Sequence, residues 1–364
     1  MMTMKKLWLT AVLRLCVGAT ASAFDLTVAQ SEHGSVGFSV GGTTVTTAEA
    51  GQVVAITVTP DEGYTTKSVT ARAYTTWEAA ARRAPGLIDD ITVTKQQDGT
   101  WQFTMPEANV QVKVEYYADL PETNDGSWIA ANDGQTADIR LGRTLQTGSW
   151  NTFCVPFSMT LADFKTAIGD DNVLVKELTA SSFNSSTGAL SLTFGNAASI
   201  VAGKPYLVKV TGNVANPAFD GVTISKTAVT TETTATDFVA TLGLTEVTVE
   251  ADEALFLGTE NELLYPSEAK HSIKGFSAYF LLKGEAAQAR SCSMDLGDGE
   301  TVYKVFEYTV MLMEGTDDAG NWKAKAGEGE LKVLPLEGVK KGQTVTMKYD
   351  GTRRVKSVKV SKLD

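Results

Sequence analysis

Residues 37–41 read Gly-Phe-Ser-Val-Gly, the G-x-S-x-G pattern in which a serine can serve as a nucleophile. That chemistry requires a strand before the serine and a helix after it, so that the hydroxyl is exposed at a sharp turn. The continuation, Gly-Thr-Thr-Val, does not favour a helix. We therefore predict a β-hairpin at this position and no catalytic serine.

Cysteine and histidine residues, which could act as nucleophiles or metal ligands, are few. Beyond residue 23 the chain holds two histidines, His33 and His271, and two cysteines, Cys154 and Cys292, all widely separated in sequence. Their spacing does not match a zinc site. Both cysteines lie in apolar, strand-like segments, so we favour two buried thiols, although an exported compartment would permit a disulfide between them.

Oxygen-rich loops are the remaining metal-binding candidates, because such loops can hold calcium. The acidic residues concerned are Asp295, Asp298 and Glu300, with a smaller set at Asp317 and Asp318. Polar connections explain both sets, so we predict no cofactor and keep calcium as an open alternative. Paired carboxylates could also hydrolyse glycosidic bonds, but nothing in the sequence selects a pair. We predict no catalytic, cofactor-binding or metal-binding residue.

Tryptophan side chains could form stacking surfaces for sugars. Trp101 and Trp150 stand in apolar strand patterns, which places them in the predicted core. Trp128 and Trp322 flank linkers or turns and are the better surface candidates. We predict Trp128 and Trp322 as possible ligand-contact residues.

The elements that must position these side chains are mainly strands. Apolar and polar residues alternate in residues 53–59 and 110–116, the pattern of half-buried antiparallel strands. Short apolar runs at 190–194, 206–210 and 278–282 are further candidate strands. The predicted fold class is all-β, mainly antiparallel, with several small β-sandwich or β-grasp-like modules in tandem.

Two helices interrupt the strand pattern. Residues 76–84 predict a helix of one or two turns inside a loop. A second helix follows Thr160, which can cap its start together with Asp163 in a capping box, and Gly169 ends it.

An internal repeat connects the two ends of the chain. Residues 51–54 (GQVV) match 342–345 (GQTV), and residues 67–69 match 356–358 as Lys-Ser-Val. The match preserves the strand register, because the apolar positions of the first copy correspond to Val345, Met347 and Tyr349 in the second.

Composition divides the chain into modules. Residues 1–23 have the basic, apolar and Ala-Ser-Ala pattern of a cleaved secretory signal, so we predict export and a mature start at Phe24. Turn-rich stretches at 118–127 (ADLPETNDGS) and 296–301 (LGDGET) are predicted linkers. The predicted domains are a first β module, a linker, a central β-sandwich with one short helix and a C-terminal β module, at residues 24–118, 119–127, 128–296 and 302–364.

Charge restricts the classes of partner. The formal net charge of −11 becomes −14 when the three basic residues of the signal are removed, which argues against a nucleic-acid partner. Residues 340–364 depart from this balance with a local charge of +6, from eight basic and two acidic residues. This basic end could bind an anionic glycan or lipid head group, or it could be the solvated face of a sheet.

No apolar run reaches the roughly 18 residues that span a bilayer, so we predict no transmembrane span.

Two segments of the first module carry a family resemblance. Residues 56–64 (ITVTPDEGY) and 103–117 (FTMPEANVQVKVEYY) resemble the divergent internalin B-type repeat of bacterial surface proteins. The resemblance implies that residues 24–118 form a small β-grasp-like or sandwich module with a spacer or adhesion role.

The rest of the chain resembles exported proteins of Bacteroidota-type Gram-negative anaerobes. Residues 150–157 (WNTFCVPF), 202–210 (AGKPYLVKV) and 275–282 (GFSAYFLL) are similar to a domain common in that group. Residues 307–327 and 351–360 are similar to short β modules of its surface proteins. These resemblances imply a location and an architecture rather than a mechanism.

The favoured function is a non-catalytic exported protein that is attached to the cell surface, associated with the outer membrane, or extracellular. Its β modules would present a surface to host or dietary glycans or proteins. One alternative is a glycan-degrading enzyme or its accessory carbohydrate-binding subunit, with the site in the central domain. Another is a structural subunit of a surface assembly, which would polymerise or exchange an edge strand.

Overall fold

The computed structural model describes residues 22–75, 86–248, 253–266, 270–297, 299–313, 316, 318–340, 343–355, 357, 358 and 360. The helix predicted at residues 76–84 and most of the predicted signal lie outside these ranges. Within them strands far outweigh helices and most strand pairs are antiparallel, which confirms the predicted all-β class. The chain divides into two compact units, residues 1–116 and 117–364.

The first unit is built from ten strands, the last of which continues past its boundary. They are β1 (Ala23–Val28), β2 (Gly34–Val40), β3 (Thr43–Thr44), β4 (Thr47–Glu49), β5 (Val53–Pro60), β6 (Tyr64–Thr75), β7 (Gly86–Ile91), β8 (Thr94–Lys95), β9 (Trp101–Thr104) and β10 (Asn109–Pro121). One sheet has the order β3-β2-β5-β9-β8. In the other, β1 pairs with β4 and β10, while β6 pairs with β10 and β7.

The alternating pattern determines which side chains enter the core of this unit. Val54 and Ile56 of β5 and Val110 and Val112 of β10 are fully buried, and they belong to one hydrophobic cluster drawn from both sheets. Strand β1 runs parallel to β10, with Leu26 opposite Val110. This parallel pair was not expected from the alternation, because alternation specifies the buried face of a strand and not its direction.

The G-x-S-x-G segment forms the predicted hairpin. Ser39 of β2 lies opposite Thr44 of β3, and the turn between the strands is Gly41-Gly42, with φ of 55° and 82°. Two consecutive left-handed residues make the turn that suits the twist of a tight hairpin, and glycine adopts that conformation without steric cost. Because strands flank the turn on both sides, Ser39 does not occupy a strand-to-helix elbow.

The larger part of the second unit contains helices α1 (Ser127–Ala131) and α2 (Leu161–Ile168). Its strands are β11 (Thr136–Gly142), β12 (Thr144–Leu145), β13 (Asn151–Phe153), β14 (Met159–Thr160), β15 (Leu174–Asn184), β16 (Ala189–Asn196), β17 (Ser199–Ile200), β18 (Tyr206–Lys209), β19 (Val214–Ala215), β20 (Ala218–Thr223), β21 (Thr230–Glu232), β22 (Thr236–Thr241), β23 (Thr245–Thr248), β24 (Ala254–Leu257), β25 (Leu263–Leu264), β26 (Lys270–Ile273), β27 (Ser277–Leu282), β28 (Ser291–Asp295) and β29 (Thr301–Val305). The strands predicted at 190–194, 206–210 and 278–282 correspond to β16, β18 and β27.

Two sheets of this part pack face to face. One has the order β13-β18-β15-β16-β28-β29 and the other β21-β22-β27-β24-β25. Phe194 of the first sheet and Phe238 and Phe280 of the second share one buried core. This is the arrangement of a β-sandwich.

Helix α2 has the predicted start and end. The Thr160 hydroxyl accepts a hydrogen bond from the Asp163 backbone N–H at 3.1 Å and donates one to the Asp163 carboxylate at 2.7 Å. Gly169 ends the helix with φ of 68°. Phe164 and Ile168 form its buried face, and the Phe164 ring packs against Phe153 of β13 and Phe219 of β20.

Both predicted linkers lie within ordered structure. The end of β10 pairs with β11, and the backbone carbonyl of Asn124 accepts a hydrogen bond from the Leu244 N–H at 2.6 Å. Residues 296–301 connect the antiparallel strands β28 and β29, so the boundary predicted at residue 302 falls within a strand of the central sheet. Hairpin turns and linkers use the same glycine-rich and aspartate-rich composition, so composition alone does not separate them.

The last part of the chain forms small sheets around a small core. Its strands are β30 (Glu307–Val310), β31 (Trp322–Ala326), β32 (Lys332–Val333), β33 (Leu336–Lys340) and β34 (Val345–Tyr349). Strand β30 pairs with β33, and β31 lies between β32 and β34. The apolar residues of β34 are half-buried and their neighbours are exposed, which keeps the register predicted from the repeat with β5.

Candidate functional site

Trp322, one of the two predicted ligand-contact residues, begins β31 and lies opposite Tyr349 of β34. The two ring centroids are 5.1 Å apart and the ring planes meet at 45°. Both residues are half-buried, so part of each side chain remains accessible to solvent. We refer to Trp322 and Tyr349 as the aromatic platform.

Charged groups line one edge of the platform. The Tyr349 hydroxyl donates a hydrogen bond to Asp318 Oδ2 at 2.7 Å, and Arg353 Nε lies 3.4 Å from the same oxygen. The hydrogen bond to Asp318 raises the pKa of the Tyr349 phenol. Asp318 has φ of 53°, a left-handed conformation that aspartate tolerates better than most residues.

An ion-pair group occupies neighbouring positions of the same part of the chain, where Lys323 lies opposite Lys348. Asp350 lies 2.7 Å from Lys348 Nζ and 3.0 Å from Lys323 Nζ, and the hydrogen bonds from these lysines lower the pKa of its carboxyl group. Gly351 follows directly. A Cβ atom at Gly351 would lie 2.2 Å from the Tyr349 hydroxyl oxygen, so glycine permits this close approach to the platform.

The platform combines two features of a sugar-binding surface. Aromatic rings offer flat apolar faces, against which the C–H groups of a sugar ring can stack. Carboxylate and basic side chains at the rim can bind hydroxyl groups and fix the orientation of the ligand. Asp318 and Arg353 supply such groups beside Tyr349.

Trp128, the second predicted contact residue, lies on the helical turn α1. It is half-buried, and its carbonyl accepts hydrogen bonds from the backbone and the side chain of Asn132, at 3.1 and 2.8 Å. Helix α1 carries none of the platform residues. Trp128 therefore serves as a comparison residue for Trp322.

Sequence reasoning missed Tyr349 and Asp318. The repeat aligns Tyr349 with Val58 of the first unit. The change from an aliphatic to an aromatic residue at this position is the sequence signal that could have identified Tyr349 as a candidate contact residue. Asp318 was considered only as a calcium ligand. Its contact with Tyr349 joins residues 31 positions apart and depends on the turn that precedes β31.

The two cysteines are free thiols and both are buried. Burial raises the pKa of the Cys154 thiol, and burial raises the pKa of Cys292 to about 12. Because the thiolate is the reactive form, neither residue is activated as a nucleophile at neutral pH.

The acidic residues Asp295, Asp318 and Glu300, which were weighed as calcium ligands, form hydrogen bonds with groups of the protein. Within the described ranges, no group of three or more His, Cys, Asp or Glu residues is arranged to hold a metal ion. Asp298 and Asp317 lie outside those ranges. Asp295 accepts a hydrogen bond from the Gly297 N–H at 3.0 Å, and Glu300 binds Trp150 and Lys209.

Glu300, Trp150 and Lys209 form a polar group in which Glu300 contacts both of the other residues. Its Oε1 atom accepts hydrogen bonds from Trp150 Nε1 and Lys209 Nζ, both at 2.9 Å, and Lys209 Nζ also lies 5.4 Å from the centroid of the Trp150 ring. Burial acts to raise the pKa of Glu300, but the hydrogen bonds from Trp150 and Lys209 outweigh it, so the pKa of the carboxyl group is lowered. The ionised carboxylate is therefore the form that the fold favours.

We expect the Glu300→Gln variant to be less stable than the wild type at pH 7 and to approach it at acidic pH. A depressed folded-state pKa contributes stability above the pKa of the unfolded chain, and this contribution is lost as the pH falls through the folded-state value. The measurement is the urea midpoint of both proteins at pH 7 and at about pH 3. Glu285→Gln at an exposed position is the control, and a Glu300→Gln deficit that is the same at both pH values would contradict the expectation.

A cavity of about 560 Å³ lies beside α2 and β20. Its lining is made of Ser158, Met159, Asp163, Ala202 and residues 220–225. Two carboxylates, Asp163 and Asp220, are present, but within the described part of the chain no aromatic side chain lines the cavity.

Comparisons with protein families, with curated proteins and with solved structures find no match for this chain. No helix in the described ranges is long and apolar enough to cross a membrane.

Proposed function

We propose that this chain is a non-catalytic exported protein that binds glycans at the cell surface through the aromatic platform. The observation that carries the proposal is the half-buried Trp322–Tyr349 pair with Asp318 and Arg353 at its edge. Stacking on the rings would contribute affinity, and the charged rim would select the arrangement of hydroxyl groups.

Export and a spacer role are part of the proposal. The predicted signal ends at Ala23, and β1 begins at the same residue. Cleavage there would leave the parallel pairing of Leu26 with Val110 in place. The first unit would then act as a spacer, as the resemblance to internalin B-type repeats implies.

Replacing Trp322 with alanine is expected to weaken glycan binding by about two- to tenfold, because an aromatic contact of this kind is worth about 0.5–1.5 kcal/mol beyond its buried area. The mature chain from Phe24 is first probed on a glycan array. Calorimetric titration with the best glycan then compares the wild type with Trp322→Ala.

Trp128→Ala is the matched control, since Trp128 is also half-buried but lies on α1. It is expected to bind like the wild type. Gly351→Ala should also weaken binding, because a Cβ atom there would collide with the Tyr349 hydroxyl and displace the ring. Binding that survives Trp322→Ala unchanged, or a glycan array that shows no bound glycan, would overturn the platform assignment.

A further inference from the structure

The charge around the aromatic platform differs in sign from that of the whole chain. The platform strands with their adjoining turns, residues 318–326 and 345–354, carry a net charge of +3 from five basic and two acidic residues. The whole chain has a net charge of −11. A local excess of one charge attracts ligands of the opposite sign and speeds their association. The platform is therefore suited to an anionic ligand.

Arg353 is the basic residue that the fold places beside the hydroxyl of Tyr349. Its Nε atom lies 3.4 Å from Asp318 Oδ2, the oxygen that accepts the hydrogen bond of the Tyr349 hydroxyl at 2.7 Å. Charge-assisted hydrogen bonds from nitrogen to oxygen are shorter, at about 2.7–2.9 Å. The contact with Asp318 therefore keeps the guanidinium near the platform as a long ion pair.

The Arg353 side chain is accessible to a ligand. It is 69% exposed, and within the described part of the chain Asp318 is its one ion-pair partner. A guanidinium group holds five N–H donors in a planar fork, so a contact at Nε leaves the donors of the two terminal nitrogens for a further acceptor. That fork matches the two oxygens of a carboxylate. Arg354 is also exposed and adds a second positive charge next to Arg353.

The rings and the guanidinium together specify a class of sugar. Stacking on aromatic rings uses the flat face of a sugar ring, which neutral and acidic sugars share. A carboxylate on that ring distinguishes the acidic sugar, and Arg353 can bind it through two parallel hydrogen bonds. A neutral sugar offers the guanidinium only hydroxyl oxygens. The acidic sugar therefore gains an interaction that the neutral one lacks.

We propose that the aromatic platform selects acidic glycans, with the sugar ring stacked on Trp322 and Tyr349 and its carboxylate bound by Arg353. This inference rests on the proposed function, because it assigns the ligand class of the same site. Arg353 is the residue that determines specificity. The two rings supply affinity that does not depend on the charge of the ligand.

The test uses two ligands that share a sugar ring and differ in charge, a galacturonic acid oligosaccharide and its methyl ester. Calorimetric titration of the mature chain from Phe24 measures the affinity for each. We expect the acid to bind about tenfold or more tightly than the ester, because hydrogen bonds to a charged group are stronger than those between neutral groups. Arg353→Gln should remove this preference and leave binding of the ester unchanged, which also shows that the variant is folded.

Two further variants separate the planar fork from net charge. Arg353→Lys keeps the positive charge but presents a single ammonium group, so we expect an intermediate preference for the acid. Lys325→Gln is the matched control, because it removes one positive charge from β31 at a position on the opposite face of the strand from Trp322. Solvent and salt screen a charge placed there, so the preference should change by about twofold or less.

The outcomes for this inference and for the platform differ. Trp322→Ala should weaken binding of the acid and of the ester by the same factor, since stacking does not depend on the ligand charge. Equal affinity of the wild type for acid and ester, or a preference that Arg353→Gln leaves intact, would overturn the inference and leave the platform in place. Ester binding that Trp322→Ala does not weaken would overturn the platform itself.

Discussion

Replacing Phe280 with alanine is expected to lower the free energy of unfolding of the second unit by about 3–5 kcal/mol. Phe280 of β27 is fully buried, and its ring stacks on that of Phe238 in β22 with centroids 4.4 Å apart. Phe194 from the facing sheet meets these two rings edge-on, at 6.3 and 6.1 Å. The truncation removes contacts within one sheet and across the sandwich, and it leaves a cavity between them.

Urea denaturation followed by circular dichroism measures this loss. Tyr303→Ala is the control, because it removes a ring of similar size from a residue that is 65% exposed on β29. Its effect should stay within about 0.5 kcal/mol, as is usual for surface substitutions. An equal loss in both variants would contradict the placement of the β22–β27 face in the core.

Local sequence signals predicted the local elements of this protein well. The Thr160–Asp163 cap, the Gly41-Gly42 turn and the alternation in β5 each depend on residues close together in the chain. Caps, tight turns and alternation act over a few residues, so the physical cause of each element is contained in its own sequence.

Long-range pairing was less accessible to prediction. The parallel pairs β1–β10 and β16–β28 join distant strands, and either strand direction buries the same alternating face. Residues 296–301 have the composition of a linker but connect two paired strands. Only the pairing of the flanking strands distinguishes a hairpin turn from a linker, and composition does not show that pairing.

The candidate site also combines a residue that local sequence predicts with residues that only long-range pairing brings to it. Trp322 was predicted from its position beside a turn, whereas its partner Tyr349 and the acceptor Asp318 come from other segments. Only the pairing of β31 with β34 brings these side chains together. The ring contact and the charged rim are therefore produced by strand pairing, and no single sequence motif predicts them.

A buried junction in the second unit shows how distant segments are locked together. The Arg143 guanidinium donates hydrogen bonds to the carbonyls of Phe276 and Thr152, the latter at 3.1 Å. The Cys154 N–H donates to the same Phe276 carbonyl at 3.2 Å, and the Thr152 and Ser277 hydroxyls lie 2.7 Å apart. Residues 150–157 and 275–282, which the sequence singled out separately, meet here.

Arg143→Ala is expected to lower the free energy of unfolding by about 3 kcal/mol, because hydrogen bonds from a charged donor contribute about 1.5–3 kcal/mol each. Burial lowers the pKa of Arg143 to about 10, which keeps the guanidinium charged at neutral pH. Arg143→Lys should give an intermediate loss, since one ammonium group cannot reproduce the planar fork that reaches two carbonyls. Urea denaturation at pH 7 measures both.

Arg140→Ala is the matched control for this prediction. Arg140 lies three residues earlier and forms a partly exposed ion pair with Asp119 at 2.6 Å, an interaction worth about 1 kcal/mol or less.

The rate at which a thiol reagent modifies Cys154 gives a second readout, because the Cys154 N–H and the Arg143 guanidinium donate hydrogen bonds to the same carbonyl. We expect faster modification in Arg143→Ala and an unchanged rate at the buried Cys292. If both substitutions cost the same and Cys154 stays protected, the Cys154 N–H alone holds the turn at Phe276, and Arg143 is not the group that joins the two segments.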